Sequence, residues 1–214
     1  MRPSFRLVLA VTSATAFLEV NKTPSAIRAI HGLQEFWPTL PLTIAVDMEH
    51  SPLITDLLEK NRISHELLIC NPCDPHALAA ALAPESKICE AFIIHDASRP
   101  LTSPDQFSRI VEGFSDLVDA VRPAIAFTET LKIIESDSII KETLDRTSVR
   151  RISTPELIRT SAIDSNSRDS GWFLPLKKDA RTAHVEGTPE ALRINSVGER
   201  DLLESFLHWR QTSV

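Results

Sequence analysis

Residues 91–100 read AFIIHDASRP, and the fold turns on this stretch. Its first half, 91–95, is a short and almost continuously apolar run, the pattern of a parallel strand covered on both faces. The run breaks at Asp96-Ala97-Ser98-Arg99-Pro100, a polar turn closed by proline. In an open parallel sheet, ligands bind beyond the carboxyl ends of the strands. A carboxylate there can hold a divalent cation with phosphate, and an arginine can pair with phosphate oxygens. Asp96 and Arg99 are therefore the first candidate site residues, with His95 orienting the turn. A helix-capping aspartate is the plain structural alternative for Asp96.

Working outward, apolar runs at 6–11, 42–46 and 65–69 alternate with helical patterns at 24–36, 53–61 and 75–83. That alternation is the signature of βαβ units. Downstream, Ser103-Pro104-Asp105-Gln106 combines a capping residue, proline at the first helical position and glutamine at the third, predicting a helix over 104–117. A strand follows at 120–127, and later come a helix at 155–162, an irregular polar stretch at 164–170, strands at 184–186 and 192–196, and a terminal helix at 199–210. The expected architecture is one α/β domain over 1–214, with a mostly parallel central sheet and helices on both faces. Between 128 and 147 the rhythm changes: residues 130–134 and 139–143 flank the polar turn 135–138, which reads as a β-hairpin. An uncovered two-stranded ribbon is marginal alone, so its apolar residues call for a partner, and a dimerisation arm is expected.

Composition bounds the function. Lys and Arg total 23 against 29 Asp and Glu, a net charge of −6, which argues against non-specific nucleic-acid binding. No apolar run approaches the ~20 residues that span a bilayer. Arg2 and Arg6 followed by LVLAV and SATA resemble a short signal peptide, but a buried first strand is the preferred reading because the sheet requires one. Three cysteines do not make a disulfide framework, so a reducing, cytoplasmic setting is expected.

The segment His95-Asp96-Ala97-Ser98-Arg99-Pro100 resembles the His-Asp-Ala-Ala-Arg-Pro of 2-C-methyl-D-erythritol 4-phosphate cytidylyltransferases, nucleotidyltransferases of the non-mevalonate isoprenoid pathway. Thr130-Leu131-Lys132, Leu144-Asp145-Arg146, Ser153-Thr154-Pro155-Glu156 and Glu199-Arg200-Asp201-Leu202 resemble later family segments at matching spacings. The resemblance implies a Rossmann-like nucleotidyltransferase fold and a homodimer formed through the 128–147 arm. It puts Asp96 at a magnesium-binding position and Arg99 beside the phosphates. Thr130, Arg146 and Thr154 fall on positions that hold the methylerythritol phosphate, Thr130 from the partner's arm.

Other family features are missing. The family wraps the CTP triphosphate in a Gly-rich loop after the first strand, because close backbone approach to phosphate demands glycine. Here the first glycine is Gly32, and Val11-Thr12-Ser13-Ala14 runs directly into Thr15-Ala16-Phe17-Leu18, with threonine where the family has its lysine. Asn71-Pro72-Cys73 and Ala77 stand at the cytosine-recognition positions, and Leu192-Arg193-Ile194-Asn195 replaces an Asp-Asn-Ile-Lys that supplies a second magnesium carboxylate. These losses imply a degenerate cytidylyltransferase-like protein that keeps part of the sugar-phosphate half-site. Its only cofactor would be magnesium, and only if active. The alternative is a working enzyme making 4-diphosphocytidyl-2-C-methyl-D-erythritol, its phosphate site rebuilt from Arg28, Arg193 or Lys177-Lys178.

A third reading centres on Cys70-Asn71-Pro72-Cys73, a C-x-x-C at a strand end where redox or metal chemistry could sit, with Cys89 and His76 as further ligands. Arg146, Arg150 and Arg151 form a basic cluster, read either as solvated surface or as phosphate contacts. Trp172-Phe173 reads as a packed loop anchor or a partner contact.

Overall fold

The computed structural model describes residues 4–135, 139–167 and 173–212, leaving aside the side chain of Gln211. The polar turn at 136–138, the end of the stretch at 168–170 and Trp172 lie outside them. The chain forms β1 (Phe5–Val11), β2 (Glu19–Val20), β3 (Thr23–Pro24), α1 (Ser25–Phe36), β4 (Leu42–Val46), α2 (Ser51–Lys60), β5 (Glu66–Ile69), α3 (Pro75–Leu82) and β6 (Ala91–Asp96). It continues through α4 (Pro104–Gly113), β7 (Ala120–Ala126), β8 (Leu131–Ile134), β9 (Ile140–Leu144), β10 (Arg150–Ile152), β11 (Glu156–Arg159), β12 (Thr182–Glu186) and α5 (Val197–Thr212).

β1 lies at the centre of an eight-stranded sheet, pairing in parallel with β4 and β6, and β4 pairs in parallel with β5. Its residues Leu7 to Val11 are all buried, as the strand reading of the basic-apolar start requires. The period of two sorts them between faces. Leu7, Leu9 and Val11 join Ile27 and Ile30 of α1, Ile54 of α2 and Phe107 of α4. Val8 and Ala10 join Leu78 of α3 and the loop residues Phe173 and Leu174.

The expected helix at 155–162 is instead β11 followed by a short 3₁₀ turn, Thr160–Ala162. Ser153-Thr154-Pro155-Glu156 imitates a helix start, but Glu156, Leu157 and Ile158 are fully buried, all three pairing antiparallel with β6 and Leu157 and Ile158 also with β7. Ladder pairing with two neighbours outweighs local propensity there. Ala120 pairs with both Ile158 and Thr182, and Ala124 with both Ile152 and Glu186. Hence β10 and β11 share one side of β7 and β12 takes the other.

The strand expected at 192–196 does not form. The segment is irregular, with Ile194 buried against Val20 and Leu203, and Leu192 packed on the same cluster. Its apolar alternation faces α5, and it reaches the turn after β6 through Ile194 N–H donating to the Ser98 carbonyl at 2.8 Å. The helix expected over 104–117 stops at Gly113, where a Cβ would lie 2.9 Å from Val185 Cγ1 and 3.1 Å from Val121 Cγ1. No helix among the described residues is long and apolar enough to cross a membrane.

Candidate phosphate site at the carboxyl edge of the sheet

Asp96 ends β6 with its carboxylate fully engaged. Thr12 Oγ1 donates to its Oδ1 at 3.1 Å, the Ser98 backbone N–H at 2.9 Å, and Arg193 Nε donates to Oδ2 at 2.8 Å. Arg193 also spans the end of β1, donating from Nη2 to Thr12 Oγ1 at 3.0 Å and Ser13 Oγ at 3.3 Å. Its Nη1 reaches Asn195 Oδ1. Of the cations considered for rebuilding a phosphate site, Arg193 alone makes contact with Asp96 among the described residues. Arg28 instead donates to the Val20 carbonyl, and Lys177 and Lys178 are exposed.

The chain after β1 closes rather than opening into a loop. Ala14–Phe17 is a 3₁₀ turn in which Ala16 N–H bonds the Ser13 carbonyl and Leu18 N–H the Thr15 carbonyl. Thr15 Oγ1 donates to the Ile194 carbonyl at 2.8 Å and lies 3.0 Å from Ser98 Oγ and 2.6 Å from Ser13 Oγ. The β2–β3 hairpin follows at once, turning through Asn21 and Lys22 with positive φ, and Asn21 N–H docks it on Glu204 of α5.

Behind Asp96 lies a buried, satisfied polar layer. His95 Nε2 donates to the Arg99 carbonyl at 3.2 Å, so its Nδ1 accepts, and the Thr154 hydroxyl donates to it at 2.9 Å. The same hydroxyl accepts the Asp96 N–H at 3.2 Å, leaving Thr154 fully buried and spent on β6. Burial holds the His95 imidazole neutral, down to about 4. Arg99 is also buried, donating to the Ser153 hydroxyl and the Ala191 carbonyl. Burial, then the charges of Arg193 and Arg151, bring Arg99 down to about 10 against the pull of Asp96, so it stays a cation at neutral pH. Gln106 does not reach back to complete a capping box. Its side chain is buried, donating to the Thr154 carbonyl at 2.7 Å and accepting from Thr188 N–H at 2.6 Å.

A cavity of about 350 Å³ opens over this edge, lined by Thr12, Pro72, Cys73, Asp96, Phe173 and Arg193. Phe173 is buried in the core, as the packed-anchor reading expected, and it also forms a cavity wall, which its local sequence did not announce. Cys73 Sγ lies 3.2 Å from the Thr12 carbonyl, and burial raises its thiol above the ordinary value. Burial pushes Cys70 up to about 11. Reactive C-x-x-C pairs have a lowered thiol pKa, and burial moves both of these thiols in the opposite direction. Among the described residues no group of three or more His, Cys, Asp or Glu side chains is placed to share a metal ion.

Thr130 and Arg146 sit apart, at the base of the β8–β9 hairpin. Both are exposed, and Arg146 Nη1 latches onto the Thr128 carbonyl. The basic cluster divides: Arg150 donates to the Thr147 and Val149 carbonyls, whereas Arg151, the next residue along β10, is felt electrostatically by Arg99.

A divalent cation does not fit the donor set as it stands. Magnesium demands near-octahedral oxygen ligation through one or two carboxylates. Among the described residues Asp96 is the only carboxylate lining the cavity, both its oxygens accept hydrogen bonds, and a guanidinium stands on it.

A doubly wound, mostly parallel sheet with a polar turn at its carboxyl edge defines a Rossmann-like nucleotidyltransferase fold. The sequence model described as "IspD: 2-C-methyl-D-erythritol 4-phosphate cytidylyltransferase" matches residues 8–194, and the chain belongs to that family. It is 26% identical over 188 residues to the 2-C-methyl-D-erythritol 4-phosphate cytidylyltransferase of Nocardia farcinica, covering 87% of this chain and 74% of that protein. It is 31% identical over 99 residues to the bifunctional enzyme IspD/IspF of Nitratidesulfovibrio vulgaris, a match spanning 45% of this chain and only 25% of that relative. The fold is that of the 4-diphosphocytidyl-2C-methyl-D-erythritol synthase from Anaerococcus prevotii, with a TM-score of 0.74, 16% identity, and 96% and 99% of the two chains covered.

Proposed function

We propose that this chain is a diverged member of the cytidylyltransferase family that binds a phosphorylated small molecule and has lost efficient cytidylyl transfer. The observation that carries this reading is the closed turn after β1. Attack on an α-phosphorus gathers negative charge that aligned donors must stabilise, and removing one such donor costs about 10²–10³ in rate. Here the Ser13 and Thr15 hydroxyls are spent on one another, on Ser98 and on the Ile194 carbonyl, and two of the turn's backbone donors close the 3₁₀ turn itself.

In this reading the chain is one cytoplasmic domain that pairs as a homodimer through the 128–147 arm. Exposed Ile133, Ile134, Ile139 and Ile140 support the pairing, since a partner would cover them. Thr130 and Arg146, carried on the arm, supply the sugar-phosphate contacts, with charge from Arg99. Thr154 acts through the layer beneath, by fixing His95 and the Asp96 backbone.

The competing reading, a working enzyme, draws support from the family match and the retained Asp96 and Arg99. One assay separates them. Purified protein given CTP, magnesium and methylerythritol phosphate is expected to release no pyrophosphate. Turnover at about 1 per second or above, the ordinary enzymatic range, eliminates the proposal.

A further inference from the structure

Among the described residues the cavity is lined by one charged pair, Asp96 and Arg193, and the buried Arg99 cation lies within electrostatic reach of both. Arg193 keeps a donor for an anion in that space. Nε, both Nη2 hydrogens and one Nη1 hydrogen have partners, leaving the other Nη1 hydrogen without one among the described residues. The Arg193 side chain is 25% exposed, against 1% for Asp96, so a ligand meets the guanidinium before it meets the carboxylate.

We propose that the Arg193 guanidinium stands on Asp96 as a built-in cation, so that the cavity takes a phosphoryl group without any divalent metal. This rests on the reading of the chain as a phosphate-binding family member and adds the means of binding. A divalent cation at Asp96 would have to displace Arg193 from Oδ2 and from its contacts with Thr12 and Ser13. An anion needs no rearrangement. Charge-assisted hydrogen bonds of this kind contribute about 1.5–3 kcal/mol, which corresponds to roughly 10- to 100-fold in affinity.

The test uses the whole protein and two probes. Inorganic phosphate, followed by ³¹P NMR in EDTA, is expected to bind saturably, with affinity unchanged within about threefold when EDTA is replaced by magnesium. Manganese, followed by EPR, is expected not to bind. Arg193→Gln should weaken phosphate at least about tenfold and admit manganese, and Asp96→Asn in that background should expel it again. If Arg193→Gln does not fold, Arg193→Lys carries the test, with phosphate retained and manganese still excluded. Wild-type manganese binding abolished by Asp96→Asn, or the absence of saturable phosphate binding in EDTA, overturns the proposal. Failure of the underlying reading is distinguishable. Pyrophosphate release without bound manganese sinks that reading alone, whereas manganese at Asp96 without turnover sinks this inference alone.

Discussion

Arg193 Nε donates to Asp96 Oδ2 at 2.8 Å, joining the loop before α5 to the end of β6. The pair is lopsided, the carboxylate almost wholly buried and the guanidinium partly in water. Removing one partner of a buried pair costs what the stranded charge loses. Arg193→Ala is therefore expected to destabilise by about 3 kcal/mol, because a buried carboxylate is left behind. Asp96→Asn should cost only about 1 kcal/mol, since the freed guanidinium can hydrate. Urea denaturation of both variants checks the order.

His95 gives a pH signature. Burial lowers its folded value from 6.5 to about 4, so between those pH values the unfolded chain binds a proton that the native one does not. Stability is fully present above about pH 6.5 and falls as the pH drops toward 4. The loss over that window is expected to be on the order of 3 kcal/mol. His95→Asn should flatten that part of the curve relative to wild type, measured by urea midpoints across the range.

The thiols should be sluggish. With Cys70 near 11, its alkylation by iodoacetamide should accelerate about tenfold per pH unit through pH 10. A rate already level at pH 8 would show a lowered thiol pKa and revive the redox reading.

The arm carries a solution prediction. Ile134→Asp with Ile140→Asp, both on exposed positions of the hairpin, is expected to shift the protein from dimer to monomer with little change in unfolding midpoint. Sedimentation equilibrium measures the shift, and a wild-type protein already monomeric at micromolar concentration removes the dimer from the proposal.

Gly113 tests the packing of α4 against β7 and β12. Gly113→Ala gains helix propensity of about 1 kcal/mol but puts a methyl within 2.9 Å of Val185 Cγ1, so a net loss of about 1 kcal/mol is expected. Thermal denaturation reads it directly.

Much of this molecule was written locally. The apolar runs of β1, β4 and β6, the Ser103-Pro104 start of α4 and the hairpin over 128–147 are patterns that a few neighbouring residues complete. The missing glycines after β1 were equally plain, because the backbone conformations they permit depend on the residue itself. Asp96 and Arg99 could be singled out because strand ends in a parallel sheet are where ligands bind.

Other features depended on partners far along the chain. Residues 156–159 have a sequence that could start a helix, and only the gap between β6 and β7 makes them a strand. Thr154 matched a substrate-binding position, yet its hydroxyl is consumed by His95 and the Asp96 N–H. Arg193 was one of several cations that could have rebuilt a phosphate site, and its pairing with Asp96 bridges 97 residues. Local pattern reports which face of an element is buried. It does not report which charge will arrive opposite, because that is set by how the loop before α5 packs over the closed turn after β1.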